Sequence, residues 1–287
     1  MNKPAATQSL RFNLAAIAAL LVAGTVLSIL AGKYLPYSID WETVFRPAAL
    51  AISSGQSPYQ VGEFFAAPWG LLPLIPVAHL GHNFGRGVYF VLTGAAYAWV
   101  AYRLGARSIA LVAFLVSPPV LHGYLTGNID WLVLLGLAFP PQVGLLFVMI
   151  KPQIGAGIAI FWLVEAWRSG GIRRVIHDFW PLTLLSLFSL AIFGLWPLRS
   201  MQLVEVPKNF NMSLWPWSLP LGSLLLAAGI YKRERRFAIS ASPFLSPHVV
   251  FHSYVVVLAG ILPSSRFTIL AVLGLWIWVA VRFFTTT

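Results

Sequence analysis

Read from its N-terminus, the chain alternates long apolar runs with short polar breaks. Residues 14–31 carry no charge and approach the ~20 apolar residues that a membrane-crossing helix needs. Lys3 and Arg11 precede them and no clean small-residue cleavage site follows, so the run reads as a retained first span. Residues 33–66 form the longest weakly hydrophobic stretch. Within it Trp41, Val44, Phe45, Ala48 and Ile52 recur at helical spacing, which predicts an amphipathic helix lying on the membrane surface. Pro47 divides that helix and Gly55 ends it. Gln56-Ser57-Pro58-Tyr59 then reads as a turn followed by extended chain. Residues 68–80 are apolar but short and contain Pro73 and Pro76; a dip into the membrane and a full crossing are both open to them.

Further apolar runs lie near 86–102, 107–123, 128–140, 179–197, 214–231 and 267–283. Two others are interrupted: 143–167 by Lys151-Pro152-Gln153, and 237–262 by Ser246-Pro247-His248. An apolar run broken by charge and proline predicts two half-helices meeting at a functional site. There is no internal repeat and no low-complexity linker, so residues 1–287 read as a single transmembrane domain. The expected fold class is all-α, a polytopic transmembrane helix bundle of about nine to eleven membrane segments.

Composition narrows the class. The chain is 59% hydrophobic and 9% charged, against roughly 25% charged in soluble domains, which excludes a soluble fold. A net charge of +11 would suggest nucleic acid in a soluble protein. Here the bases fall between apolar runs and orient them instead, so no nucleic-acid partner is expected. Residues 1–11, Arg103, Arg107, Arg168, Arg173, Arg174 and the bases of 232–236 then face the cytoplasm, while 33–66 and 198–213 are extracytoplasmic loops. The absence of cysteine excludes disulfides, thiolate metal sites and cysteine nucleophiles. The tryptophans suit interfacial belts.

Charge inside apolar runs is costly and so needs a role. Asp40 stands at the start of the surface helix, as an N-cap or as a catalytic or ligand-binding acid. Asp130 follows the Gly127-Asn128 turn and has the same two readings. Lys151 can snorkel, but Pro152 directly after it frees backbone groups that line a cavity more naturally than lipid, which favours a phosphate or carboxylate partner. His248 and His252 share a helix face, with Ser253 and Tyr254 following. No carboxylate lies near them in sequence, so phosphate hydrogen bonding or a structural polar pair ranks above a metal site. His79 and His82 carry little weight, and Asn211-Met212-Ser213 matches a glycosylation sequon too short to use by itself.

Taken in order, these features form a pattern. Asp40 with its helix, Gly55-Gln56-Ser57-Pro58-Tyr59, Pro68 opening an apolar segment, Gly127-Asn128, Lys151-Pro152, Asn211-Met212-Ser213, and Ser246-Pro247-His248 with His252 and Tyr254 make it up. It resembles the C-type (GT-C) membrane glycosyltransferases, most closely the polyprenol-phosphate-mannose-dependent mannosyltransferases of glycosyltransferase family 87, over residues 12–262. The resemblance implies a GT-C-like bundle in the cell membrane, multi-pass, with its active site on the extracytoplasmic side. It implies Asp40 as catalytic base, and Gly55, Ser57, Pro58 and Tyr59 on the acceptor side. It implies Lys151, His248 and His252 around the donor phosphate, with Asn128, Asp130, Asn211 and Ser213 as further substrate-binding residues. Expected partners are membrane lipids, a polyprenyl-phosphate sugar as donor and a lipid or glycan acceptor, with no cofactor and no metal. Two positions depart from the pattern: the usual Gly-Gln-x-Asn reads Gly127-Asn128-Ile129-Asp130, and Ala67-Pro68-Trp69 lacks the preceding aromatic.

A lipid-phosphate sugar carries its own leaving group, so the chemistry left to the protein is deprotonating an acceptor hydroxyl and stabilising the departing phosphate. Direct displacement inverts the anomeric centre. Two rivals share the same polar breaks: a transporter or flippase for a lipid-linked or anionic solute, against which the missing inverted repeats count, and an inactive membrane subunit that keeps only the fold.

Overall fold

The computed structural model describes residues 5–201 and 210–286. The middle of the expected second outer loop, 202–209, lies outside the described residues. Every regular element among the described residues is helical. In chain order these are α1 (Ala5–Tyr34), α2 (Arg46–Ser53), α3 (Ile75–Ala78), α4 (His82–Arg103), α5 (Ser108–Leu115), α6 (Pro118–Thr126), α7 (Asp130–Leu137) and α8 (Pro141–Val148). There follow α9 (Pro152–Phe193), α10 (Trp196–Met201), α11 (Leu219–Lys232), α12 (Arg235–Leu245), α13 (Val255–Ile261) and α14 (Ser265–Thr286).

Among the described residues three helices are long and apolar enough to cross a membrane: Ala15–Tyr34 of α1, α9, and Ser265–Thr285 of α14. α5 and α6 are together long and apolar enough for a fourth, but they bend by 50° between Leu115 and Pro118, the geometry of a broken span or of a re-entrant loop. The 42 residues of α9 would reach about 60 Å, twice a bilayer core. The helix is accordingly broken, at Gly170 and at Gly171, whose φ of 57° is left-handed. Elsewhere apolar runs that hydropathy reads as spans are cut by Pro and Gly into helices such as α7, α8 and α13, of 7 or 8 residues. Residues 68–78 make a 3₁₀ segment running into the single turn of α3, a rise of about 20 Å against the ~30 Å of hydrocarbon, so length supports the dip.

Small residues let the helices approach. A methyl group on Gly32 of α1 would run into the Asn83 carbonyl of α4, and one on Gly87 into the Ser28 carbonyl, the close packing typical of helices in lipid. Gly157 of α9 faces the Ala238 carbonyl of α12 and donates its N–H to Ser242 Oγ at 2.8 Å. The hairpin of α11 and α12 closes with Gly229 against Ala238 and Gly222 against Leu245.

Connections rich in base gather at one end. Arg168 donates to the Ile230 carbonyl at 2.6 Å and Arg235 to the Leu137 carbonyl at 3.2 Å, while Gly105 abuts Pro263. The segment after α1 differs from expectation. Trp41, Val44, Phe45, Ala48 and Ala49 are buried in the protein core, so the apolar face of this helix docks against its own chain instead of lying on a lipid surface. Periodicity identified the face but not what covers it. Pro47 sits in the first turn of α2, after a single π-helical turn at Trp41–Phe45.

Candidate functional site

The site is assembled around the turn between α6 and α7. Gly127 ends α6 with φ 75° and ψ 36°, a left-handed conformation that glycine adopts without cost. A Cβ there would also lie 2.6 Å from Trp41 Cβ and 3.0 Å from Ser38 Cβ, so glycine is what lets the first loop come this close. Tyr89 of α4 fastens the junction. Its ring stacks on Trp41 at 4.2 Å, and its hydroxyl meets the Gly127 and Asn128 carbonyls at 2.9 and 2.8 Å while accepting from Trp131 Nε1 at 3.1 Å.

From this anchorage a chain of polar contacts crosses the interior. Asn128 Nδ2 donates to Asp40 Oδ2 at 2.7 Å, and Asn128 Oδ1 accepts from Lys151 Nζ at 2.8 Å. The ammonium also pairs with Asp130 Oδ1 at 2.5 Å. The other oxygen of Asp130 takes Ser253 Oγ at 2.8 Å and pairs with His252 Nδ1 at 2.7 Å. Four segments that are remote in sequence therefore meet: the first loop, the α6–α7 turn, the α8–α9 break and the segment after α12. Lys151 occupies its break because α8 stops at Val148 and Pro152 opens α9. The first loop braces that break, with Ala67 N–H on the Ile150 carbonyl at 3.0 Å and Trp69 Nε1 on the Leu146 carbonyl at 2.7 Å.

The two acids differ in standing. Asp40 is half-buried and makes no side-chain cap to its helix, which removes the N-cap reading. Asp130 is 0% exposed and its oxygens meet three donor side chains. Asp130 was expected to bind substrate; with no accessible surface it instead holds Lys151 and His252 in place.

Histidines 248 and 252 part company as well. His252 is bound to Asp130, whereas the buried His248 has an Nδ1 with no partner among the described residues. His248 is carried on the Ser246–Val250 segment, which Asn211 and Ser213 clasp. Asn211 Nδ2 donates to the Pro247 carbonyl at 3.0 Å, its Oδ1 accepts from Val249 N–H at 3.1 Å, and Ser213 Oγ donates to the Ser246 carbonyl at 2.6 Å. Asn211 and Ser213 thus hold this segment through its backbone, and Ser213 also lines a cavity of about 400 Å³ together with Trp215, Trp217 and Phe244. Gly55, Ser57 and Tyr59 likewise serve the first loop. Gly55 ends α2 with φ 72°, Ser57 Oγ accepts from Tyr59 N–H at 3.4 Å, and the Tyr59 hydroxyl donates to the Ala66 carbonyl at 3.0 Å while its ring stacks on Trp196 at 6.2 Å. None of the three contacts the Asp40 network through these bonds.

Sequence reasoning passed over His122. Exposed on α6, its ring lies 5.5 Å from His252 at 17° and edge-on to Phe251 at 5.8 Å. The one sequence signal was a polar residue inside an apolar run. Among the described residues no group of three or more His, Asp or Glu side chains is placed to hold a metal ion.

The arrangement offers a half-exposed carboxylate, an ammonium with two of its three N–H bonds committed, and the unpartnered imidazole of a neighbouring break. No family model, no curated protein and no solved structure matches this chain.

Proposed function

We propose that this protein is a membrane glycosyltransferase of the GT-C type. It moves a sugar, mannose by the family resemblance, from a polyprenyl phosphate to a lipid or glycan hydroxyl on the extracytoplasmic side. The observation that carries the reading is the Asp40–Asn128–Lys151 chain of hydrogen bonds, which sets a half-exposed base beside a cation with a donor to spare. In the reaction Asp40 takes the proton of the acceptor hydroxyl, whose oxygen bonds the anomeric carbon. The carbon–oxygen bond to phosphate breaks, and its electron pair leaves on the phosphate. The third N–H of Lys151 and the imidazoles of His248 and His252 receive that charge. Attack opposite the phosphate inverts the centre without a covalent intermediate. Asn128 serves by orienting both partners, and the reading includes a bundle of about nine to eleven membrane segments.

Purified protein in nanodiscs, offered a panel of polyprenyl-phosphate sugars, tests the proposal. Transfer by the wild type and its loss in Asp40→Asn support it; donor binding with no transfer by the wild type supports the inactive subunit. Sidedness is tested with single cysteines, since the native chain has none. Ser57 and Ser213 positions should label with an impermeant thiol reagent and Ser108 and Ser169 positions should not. One observation favours a transporter or flippase instead: the buried Asp130–Lys151 pair lies between broken helices, where transporters place their sites. Movement of lipid across vesicles without sugar transfer would decide for that rival.

A further inference from the structure

The end of α1 and the start of α4 border a cavity of about 460 Å³ lined by Ile29, Gly32, Lys33, Asn83, Phe84 and Arg86. Its lining has two characters. Lys33, Asn83 and Arg86 form a polar, cationic side, and Ile29 and Phe84 an apolar one, next to the last turn of a helix long and apolar enough to cross a membrane. Arg86 is largely buried, with 11% of its side chain exposed. It donates from Nη2 to the Gly32 carbonyl at 2.6 Å, lies with Nη1 3.9 Å from Glu42 Oε1, and keeps an Nε without a partner among the described residues. Lys33 is exposed and lies 5.0 Å from the Tyr34 ring centroid. No ion pair engages Lys33 among the described residues. The acid at this corner is Glu42, which engages Arg86 and lies 3.3 Å from His82 Nδ1, and Lys33 adds a second permanent cation to the lining. The first turn of α4 adds amides that no side chain caps, which favours an anion further.

We infer that this cavity binds the phosphate-bearing head of an anionic phospholipid, with an acyl chain against Ile29 and Phe84. Basic pockets between membrane helices recognise such heads. A free anion would have no use for the apolar wall, which is why the occupant is assigned as lipid. α1 packs chiefly on α4 and is otherwise little buried, so a lipid wedged between their ends ties the outer helix to the body. The loop carrying Asp40 hangs from that same end of α1. The inference stands apart from the glycosyltransferase reading and does not need it.

Native mass spectrometry of the full chain in detergent, titrated with phosphatidylglycerol or phosphatidylcholine, provides the test. The wild type should bind its first phosphatidylglycerol several-fold more tightly than phosphatidylcholine. Lys33→Gln should weaken phosphatidylglycerol about fivefold, the worth of one basic residue near a lipid head, and Lys33→Glu should weaken it more. Lys33 is exposed, so both variants fold. Lys232→Gln, at the opposite end, should leave binding unchanged. Equal affinity for the two lipids, wild-type binding by both Lys33 variants, or full displacement of the lipid by millimolar inorganic phosphate would each overturn the assignment.

Discussion

Among the described residues Asp40 takes a single side-chain hydrogen bond, from the Asn128 amide, and it keeps part of its surface open. Asp130, two residues beyond the same asparagine, takes Lys151, His252 and Ser253 and keeps no surface at all. A buried carboxylate that holds three donors is a fixture, because any partner it gave up would be left uncompensated in a low dielectric. A half-exposed one with spare acceptor capacity is free to take a proton. Under the proposed function, neighbouring acids of the same type divide between scaffold and chemistry by the number of donors around them.

That division is broken or sharpened by substitution at either acid. Asp40→Asn should reduce sugar transfer by about 10²–10⁴-fold, the usual worth of a general base, while changing unfolding stability by less than about 1 kcal/mol. Transfer within tenfold of the wild type would return Asp40 to a structural role. Asp130→Ala should do the opposite kind of damage. Stranding the Lys151 ammonium costs about 3–5 kcal/mol, to be read as loss of folded protein in thermal unfolding, and restoring neutrality with Asp130→Ala plus Lys151→Met should recover part of it. Tyr89→Phe leaves Trp131 Nε1 and two carbonyls without their shared partner and should cost about 1–3 kcal/mol, with a parallel fall in transfer as the Asn128 turn loosens. Ser57→Ala should cost about 1 kcal/mol or less and leave transfer rates unchanged, because Ser57 caps a turn of the first loop.

Much of the network was legible one residue at a time. Lys151 and the His248–His252 break stood out because charge and proline inside apolar runs demand a reason, Asp40 because it opens the amphipathic helix of the first loop, and Asn128 because it sits in a Gly-Asn turn. What sequence could not supply was partnership. The spacing of Asp130 from Asn128 says nothing of Ser253 and His252 arriving from more than 120 positions away. Asn211, Ser213, Gly55, Ser57 and Tyr59 were singled out through the family resemblance, which could not show that Asn211 and Ser213 hold the Ser246–Val250 backbone or that Ser57 and Tyr59 bond within the first loop. Hydropathy windows likewise cannot distinguish one long crossing from two short helices joined by a proline, as at α5 and α6.

The Asn128 amide has a further consequence. Its oxygen faces an ammonium and its nitrogen faces a carboxylate, so the group cannot rotate by half a turn without setting like against like at both ends. A ligand that draws Lys151 toward itself weakens the hold on the amide oxygen and so alters the bond that Asp40 receives. Thermodynamic linkage makes this reciprocal: whatever occupies the Lys151 side and whatever occupies the Asp40 side must change each other's affinity by the same factor. Under the proposed function a single planar group two bonds long would set the cooperativity between two binding events, and replacing Asn128 with Leu should uncouple them.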